Sequence, residues 1–187
     1  MTRIMIIVGS VRPRRVGLPI AKWVSAAADD LEDIEIDFVD LAELALPMMD
    51  EPNHPRLRQY TKQHTRDWSA RVEAADGFIF VTPEYNHSFS PALKNAMDFL
   101  AAEWWRKPVG VVSYGGVSAG TRGVVALEPV MAVLGLVRVG AAVEISLLDG
   151  LQIADGQFVP SEKESAILTK MFSELTSLAQ SLKESQK

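Results

Sequence analysis

The sequence predicts a doubly wound α/β fold in which helices cover both faces of a five-stranded parallel sheet. Short continuous apolar segments recur along the chain, as expected of strands that are buried on both faces. Segments with apolar residues at helical spacing alternate with these strands, which is typical of a parallel sheet joined by right-handed crossovers. The 187 residues show no internal repeat and no linker, so we expect a single domain over residues 1–187.

The first half of the chain contributes three of the predicted strands. Residues 4–8 and 77–82 are short apolar runs, whereas residues 34–38 alternate between apolar and polar side chains. Apolar residues at helical spacing predict a first helix over 19–27. Residues 46–56 contain three prolines and are predicted to form a loop before a second helix. One face of this second helix consists of Leu57, Tyr60, His64, Trp68 and Val72.

The second half of the chain continues the alternation. Ser90 supplies a helix cap and Pro91 a first-turn proline, which predict a third helix whose apolar face extends to Trp104. The next predicted elements are strand four at 108–113, helix four at 119–135 and strand five at 137–145. Pro129 should kink or shorten the fourth helix because it lacks a backbone N–H group. A capping box at residues 161–164 predicts the start of a long amphipathic fifth helix.

Five strands in this alternation favour the flavodoxin-like strand order 2-1-3-4-5, with helices on both faces of the sheet. In that order the chain changes its direction of winding between strands one and three. Open α/β sheets bind their ligands in the crevice beyond the carboxyl ends of the strands at such a point. The loops that follow strands one, three and four are therefore the candidate functional segments.

The composition excludes several functional classes. The chain has no cysteine, which excludes a disulfide framework, a thiolate metal site and a cysteine nucleophile. Its 19 basic and 24 acidic residues give a net charge of −5, which argues against nucleic-acid binding through a broad basic surface. No apolar run is long enough to span a membrane, and the amino terminus lacks the pattern of a signal peptide, so we expect a cytoplasmic protein without a membrane partner. The three histidines lack metal-ligand spacing, so we expect no metal.

An arginine-rich loop follows the first strand. Residues 9–17 have the sequence GSVRPRRVG and lead into the amino terminus of the first helix. Such a terminus attracts phosphate through its backbone N–H groups and its partial positive charge, and arginine adds charge-assisted hydrogen bonds. We expect Arg12 and Arg15 to bind phosphate and Arg14 to point to solvent; the alternative is a solvated loop with surface arginines. The motifs GxxxxGK[ST] and GxGxxG are absent, which disfavours a nucleoside triphosphatase and a dinucleotide-binding domain.

With both motifs absent, a mononucleotide is the remaining ligand expected for this topology. A flavin mononucleotide would need two further loops to hold the edge of its ring, and both are present. The chain continues after strand three as TPEYNHS and after strand four as SYGG. Gly115 and Gly116 would let backbone amides approach the nitrogen and oxygen atoms of the ring. Tyr85 and Tyr114 could supply packing surface, and Asn86 could supply an amide for hydrogen bonding. For each loop, an ordinary turn with an incidental tyrosine is the alternative.

The chain resembles the NAD(P)H-dependent FMN reductase family of flavodoxin-like proteins over nearly its whole length. The most specific matches are GSVRPRRVG at 9–17, TPEYNHSFSPALKNAMDFL at 82–100 and SYGGVSAG at 113–120. Many relatives have a small hydroxyl residue near position 15, where this chain has Arg15. The resemblance implies that the first loop holds the FMN phosphate and that the other two loops lie along the ribityl chain and the ring. The implied cofactor-binding residues are Ser10, Arg12, Arg15, Val16, Gly17, Pro83, Glu84, Tyr85, Asn86, Ser113, Tyr114, Gly115 and Gly116.

The resemblance also implies an oxidoreductase. FMN is then bound noncovalently, NADPH or NADH passes a hydride to it, and a small acceptor takes the electrons in a ping-pong mechanism. Free flavin, a quinone, an azo compound and a metal ion are all open as acceptors, as is the choice between the nicotinamides. The family further implies a homodimer or homotetramer. The pair Trp104–Trp105 offers apolar surface for association beside the site, with core packing as the alternative.

Two other functions compete with this interpretation. A flavodoxin-type electron carrier would have the same fold and cofactor without nicotinamide activity, but such carriers usually have a phosphate loop without arginine. Residues 116–120 also match the GxSxG pattern of serine hydrolases, with Ser118 as the nucleophile. In those enzymes the histidine follows the serine, whereas His54, His64 and His87 all precede Ser118. We therefore expect no catalytic side chain, and interpret Ser118 as a turn or cap residue and His87 as an exposed loop residue that could approach the flavin.

Overall fold

The computed structural model describes residues 1–148, 150 and 152–185, and its main feature is a five-stranded parallel sheet. The strands are β1 (Thr2–Val8), β2 (Ile34–Asp40), β3 (Gly77–Pro83), β4 (Pro108–Gly115) and β5 (Val137–Ser146). Their order across the sheet is β2-β1-β3-β4-β5, and every neighbouring pair is parallel. The fold class and strand order expected from the sequence are therefore confirmed.

Helices pack on both faces of this sheet. They are α1 (Gly17–Ala26), α2 (Leu41–Leu44), α3 (Gln63–Glu73), α4 (Pro91–Asp98), α5 (Thr121–Val133) and α6 (Glu162–Glu184). Successive side chains of β1 point to opposite faces, so Ile4 and Ile6 pack with α1 and α6, whereas Met5 and Ile7 pack with α3, α4 and α5. A two-stranded hairpin, β6 (Ile153–Ala154) and β7 (Gln157–Phe158), covers α1 through a Phe158–Trp23 aromatic contact. Both apolar layers therefore keep the central strands dry.

The second predicted helix begins later than its apolar spacing indicated. Leu57 lies in a short 3-10 turn and Tyr60 in an extended segment, and α3 starts only at Gln63. The Tyr60 hydroxyl donates a 2.8 Å hydrogen bond to the carboxylate of Glu103, whose side chain is fully buried. This contact and the left-handed backbone of Arg58 (φ 52°) hold the segment before α3 in a non-helical conformation. The helical spacing of its apolar residues therefore does not determine the conformation of that segment.

The third predicted helix is shorter than expected, which moves the tryptophan pair away from the candidate site. Helix α4 ends at Asp98, and Trp104 closes a separate 3-10 turn that leads into β4. Since a crossover helix returns antiparallel to the strands, this segment lies at their amino ends, opposite the carboxyl ends of β1 and β3. Trp104 is buried against Phe78 and Phe80, while Trp105 is 59% exposed. The expectation that the pair lies beside the site is therefore wrong.

The remaining predicted helices agree closely with the structure. Helix α5 continues through Pro129 and is two residues shorter at each end than the predicted span. The capping box at the start of α6 is present: the Ser161 hydroxyl accepts from the Glu164 N–H at 3.2 Å, and the Glu164 carboxylate accepts from the Ser161 N–H at 2.6 Å. Strand β5 extends one residue beyond the predicted end. In the described part of the chain, no helix combines the length and apolarity needed to cross a membrane.

Candidate functional site

A cavity of about 490 Å³ lies beyond the carboxyl ends of β1, β3 and β4. Its volume falls within the roughly 300–1,000 Å³ that is usual for small-molecule sites. The cavity therefore lies where the strand order predicted a ligand. Its lining residues are Ser10, Arg12, Pro13, Arg14, Arg15, Val16, Pro83, Glu84, Tyr85, Tyr114, Gly115, Gly116 and Leu147.

The floor of the cavity begins with the loop between β1 and α1. The Gly9 N–H donates a 2.8 Å hydrogen bond to the carbonyl of Val81 in β3, and the chain leaves the sheet after Gly9. Helix α1 begins at Gly17, and its N-cap residue, Val16, has no side-chain acceptor for the first N–H groups of the helix. Its third residue is Pro19, which has no N–H group to satisfy. The amino end of α1 therefore retains backbone donors and partial positive charge next to the cavity.

Ser10 and Arg12 join this loop to the loop after β3. The buried Ser10 hydroxyl and the Tyr85 hydroxyl share a hydrogen bond of 2.8 Å. The exposed guanidinium of Arg12 lies over the Tyr85 ring, with its central carbon 6.0 Å from the ring centroid. This distance suits a cation–π contact. Arg12 thus reaches across the cavity, and its N–H donors stay accessible to an anion.

The other two arginines of the loop differ from Arg12 in their contacts. Arg14 has a left-handed backbone (φ 57°) and is exposed, which agrees with the predicted solvent-facing side chain. It also borders the cavity. Arg15 forms an ion pair with Asp40, a carboxylate whose side chain is 1% exposed. Sequence reasoning missed Asp40 because it follows Arg15 by 25 residues and belongs to another strand. A search for acidic residues at the carboxyl end of the neighbouring strand could have found it.

Tyr114 packs against the start of α1. The side chain is 4% exposed, and its hydroxyl has no hydrogen-bond partner within the described residues. A Cβ atom on Gly17 would collide with this hydroxyl, so only glycine at position 17 allows the ring to pack so closely. Burial raises the pKa of Tyr114 well above its usual value, and the nearby Tyr85 adds to the effect. The hydroxyl therefore stays protonated and can donate to a ligand atom.

The loop after β4 presents an exposed glycine. Gly120 has φ 86°, and a Cβ there would lie 2.7 Å from the Tyr114 nitrogen, so this tight turn requires glycine. The Ser113 hydroxyl donates a 2.9 Å hydrogen bond to the carbonyl of Ala119, which closes the turn from within. Among the described residues, no atom lies within 4 Å of a Cβ placed on Gly116. The loop is thus rigid on its inner side and open to ligands at Gly116.

Glu84 connects the loop after β3 to the start of α5. The Ser118 hydroxyl and the Arg122 N–H both donate to its carboxylate, the latter at 3.1 Å. Burial alone would raise the pKa of Glu84, but these hydrogen bonds, one from the Gly123 N–H and the charge of Arg122 together lower it. The carboxylate thus caps α5, whose own N-cap residue is Gly120. Ser118 is a partner of this cap, which agrees with its interpretation as a turn residue.

The structure does not bring every predicted site residue to the cavity. Asn86 is exposed with φ 49°, and Ser113 and Gly17 lie behind the lining rather than in it. His87 forms a 2.9 Å hydrogen bond with the Arg122 guanidinium on the exposed rim. The lining also includes Pro13, Arg14 and Leu147, which were not predicted. Leu147 follows β5, a strand that sequence reasoning had not connected with the site.

The lowered pKa of Glu84 predicts an acid-dependent stability difference between the parent and Glu84→Gln. A depressed pKa stabilises the folded state above the unfolded value of about 4.3, and this contribution is lost as the pH falls through the folded pKa. Thermal melts should therefore show the variant less stable at neutral pH, with a difference that shrinks below about pH 4.3. A difference that stays constant through the acid range would contradict the assigned ionisation of Glu84.

Comparison with known proteins places the chain among flavin reductases. The family model for NADPH-dependent FMN reductase matches residues 2–147. An NAD(P)H-dependent FMN reductase of Schizosaccharomyces pombe is 42% identical over 120 residues, which cover 63% of this chain and 60% of the relative. An FMN-dependent NADPH-azoreductase of Staphylococcus haemolyticus is 29% identical over 175 residues, or 90% of this chain and 89% of the relative. The match to the S. pombe protein thus spans less than two thirds of that relative.

Solved structures share the fold at low sequence identity. The flavoenzyme NAD(P)H:(acceptor) oxidoreductase FerB from Paracoccus denitrificans has a TM-score of 0.75 at 20% identity, with 96% of this chain and 98% of that chain covered. An apo NADH:FMN oxidoreductase, EMOB, has a TM-score of 0.66 at 19% identity, with 97% and 90% covered. The resemblance seen in the three sequence motifs is confirmed, and the chain belongs to the NADPH-dependent FMN reductase family.

Proposed function

We propose that this protein is an FMN-dependent NAD(P)H oxidoreductase that passes electrons from a nicotinamide to a small acceptor. The observation that carries the proposal is the cavity at the carboxyl ends of β1, β3 and β4, where an arginine-rich loop meets an uncapped helix terminus. Family membership supports an enzyme of this class, and the relatives named above support FMN and NAD(P)H as its cofactors.

The residues of the cavity fit the phosphate end of FMN. Phosphate is a strong acceptor of hydrogen bonds, and this end of the cavity contains several donors. These are the backbone N–H groups at the start of α1, next to the lining residue Val16, the accessible guanidinium of Arg12, and the Tyr114 hydroxyl, which has no partner among the described residues. Ser10 lies among them, with its hydroxyl shared with Tyr85. We assign the phosphate to this group because an anion would satisfy donors that the described chain leaves without a partner.

The other end of the cavity suits a flat ring with one accessible face. Pro83 and Gly115 bring backbone close to the opening. Tyr85 borders both ends of the cavity because its hydroxyl reaches Ser10 at the phosphate end. The described residues leave open space at Gly116 where a side chain would stand, so a planar ligand can approach the backbone there. Bound FMN supplies the capacity to accept a hydride and to release electrons. The protein contributes binding, orientation and an open face, and no side chain is assigned as an acid, base or nucleophile.

A shared face for donor and acceptor leads to ping-pong kinetics, because the nicotinamide must leave before the acceptor enters. The open side of the cavity at Gly116 supports such a shared face. The acceptors that this arrangement accommodates are free flavin, quinones, azo compounds and oxidised metal ions. Azo compounds gain support from the azoreductases among the relatives.

The proposed reaction predicts a change in the visible spectrum. Under anaerobic conditions, NADPH or NADH should bleach the flavin band of the FMN-loaded protein, and a quinone should restore it. Initial rates at several acceptor concentrations should give parallel double-reciprocal lines, as ping-pong kinetics requires. The Ser118→Ala variant is a control that should keep its activity, because the Ser118 hydroxyl donates to Glu84 and is assigned no catalytic role. Bleaching by dithionite and by neither nicotinamide would support the electron carrier instead.

The phosphate assignment predicts a difference between two arginines of one loop. Arg12→Ala should weaken FMN binding by about tenfold, because it removes charge-assisted hydrogen bonds to the phosphate. Arg14→Ala, the matched control, should change FMN affinity by less than about twofold, since the Arg14 side chain is expected to point to solvent, whereas that of Arg12 lies over the Tyr85 ring. Titrations that follow the quenching of flavin fluorescence measure both. Riboflavin, which lacks the phosphate, should bind all three proteins equally, and equal losses for riboflavin and FMN would contradict the assignment.

We further propose that the protein forms a homodimer or homotetramer through the face next to the arginine loop. A groove of about 440 Å³ there is lined mainly by apolar residues, among them Val11, Leu46 and Met48. Met48 is 79% exposed and Val11, in the same groove, is 47% exposed, and contiguous exposed apolar residues mark interaction surfaces. Met48→Glu should therefore lower the mass that light scattering measures after size-exclusion chromatography. Trp105→Glu, on the opposite end of the sheet, should leave that mass unchanged, and the reverse pattern would contradict the choice of face.

A further inference from the structure

Asp40 stands at the carboxyl end of β2, behind the arginine loop and outside the cavity lining. We infer that Asp40 is a positioning residue, which holds the Arg15 guanidinium in place for the phosphate of the ligand. The inference rests on the proposed function, because it concerns an anion bound in the same cavity. It adds a residue from a fourth strand to a site that the sequence built from the loops after β1, β3 and β4.

The Asp40 carboxylate is fixed on both of its oxygen atoms. Oδ1 accepts a 3.0 Å hydrogen bond from the N–H of Ala42 and so caps α2, while Oδ2 pairs with Nη2 of Arg15. The backbone of Asp40 is opposite Val8 in the β1–β2 pairing, one residue before the arginine loop begins. The carboxylate thus has a single orientation, tied to the sheet.

Arg15 keeps donors after it has paired with Asp40. A guanidinium carries five N–H donors in a rigid plane, and Asp40 occupies only Nη2. Arg15 lines the cavity with a side chain that is 16% exposed, and its Nε is buried without a partner in the described part of the chain. A phosphate oxygen in the cavity would accept from the exposed part of this guanidinium. Held on one edge by Asp40, Arg15 can therefore present the rest of its fork to an anion.

Two physical effects of Asp40 act in opposite directions on an anionic ligand. Its negative charge repels phosphate, whereas its pairing removes the rotamer freedom that a loose arginine would lose on binding. The burial of both partners favours the second effect, because Arg15 lies between the carboxylate and the cavity and screens it. The sign of the change in FMN affinity on neutralising Asp40 therefore separates positioning from simple repulsion.

Asp40→Asn tests the inference, because the amide oxygen can still cap α2 while the charge that holds Arg15 is lost. Flavin fluorescence titrations should give about tenfold weaker FMN binding and riboflavin binding unchanged within about twofold. In an Arg15→Gln background, Asp40→Asn should have no further effect on FMN, since the residue it positions is gone. Thermal melts of the apo proteins measure folding separately, and the titrations are made at temperatures below every melt.

Each other outcome overturns the inference. Unchanged FMN affinity would mean that Asp40 only caps α2, and stronger FMN binding would mean that it acts only as a repelling charge. Equal losses of affinity for FMN and riboflavin would mean that Asp40 only stabilises the fold. The same conclusion would follow if Asp40→Asn weakened FMN binding by the full factor of about ten in the Arg15→Gln background as well. Failure of the parent protein to bind FMN would remove the proposed function as well, which distinguishes that failure from one confined to Asp40.

Discussion

The parallel pairing of β1 with β2 and β3 is the constraint on which the site depends. This pairing places the carboxyl ends of the three strands at one edge and buries the apolar residues of β1 from both faces. The loop after β1 must then leave the sheet between its two neighbours and turn directly into α1. Its arginines consequently meet the helix terminus, the Tyr85 loop and the end of β2 within one small volume. A parallel sheet supplies the position, and the loop residues supply the chemistry.

Around the cavity, the structure separates charges that are used for folding from charges that are available to a ligand. Glu84 is fully engaged by the start of α5, and Asp40 by Ala42 and Arg15. The guanidinium of Arg12 and the backbone at the start of α1 remain accessible. An acidic chain thus presents a locally positive surface at one point. The anion binding that we propose here would follow from this arrangement of pairs and not from the overall charge of −5.

Sequence patterns predicted the strands, their order and the three loops, because apolar runs, helix caps and glycine turns are local signals. They could not predict contacts that depend on tertiary proximity. The Arg15–Asp40 pair joins the arginine loop to the end of β2, which only the β1–β2 pairing brings together. The Glu84 carboxylate that caps α5 comes from the loop after β3. The start of α3 was misjudged for the same reason, since a distant buried carboxylate at Glu103 holds Tyr60 outside the helix. The family motifs identified the three loops, and the structure shows which residues of each loop contact other parts of the chain and which remain accessible.

The central proposal is that the arginine loop and the start of α1 bind the phosphate of FMN, and such donors should keep the bound phosphate dianionic. The ³¹P resonance of FMN bound to the protein tests this claim most directly, because its chemical shift reports the protonation of the phosphate. A free phosphate monoester gains its second proton near pH 6. Surrounded by guanidinium and N–H donors, the bound phosphate should keep one shift from about pH 8 down to about pH 5. A bound resonance that titrates like that of free FMN would place the phosphate in solvent and contradict the account.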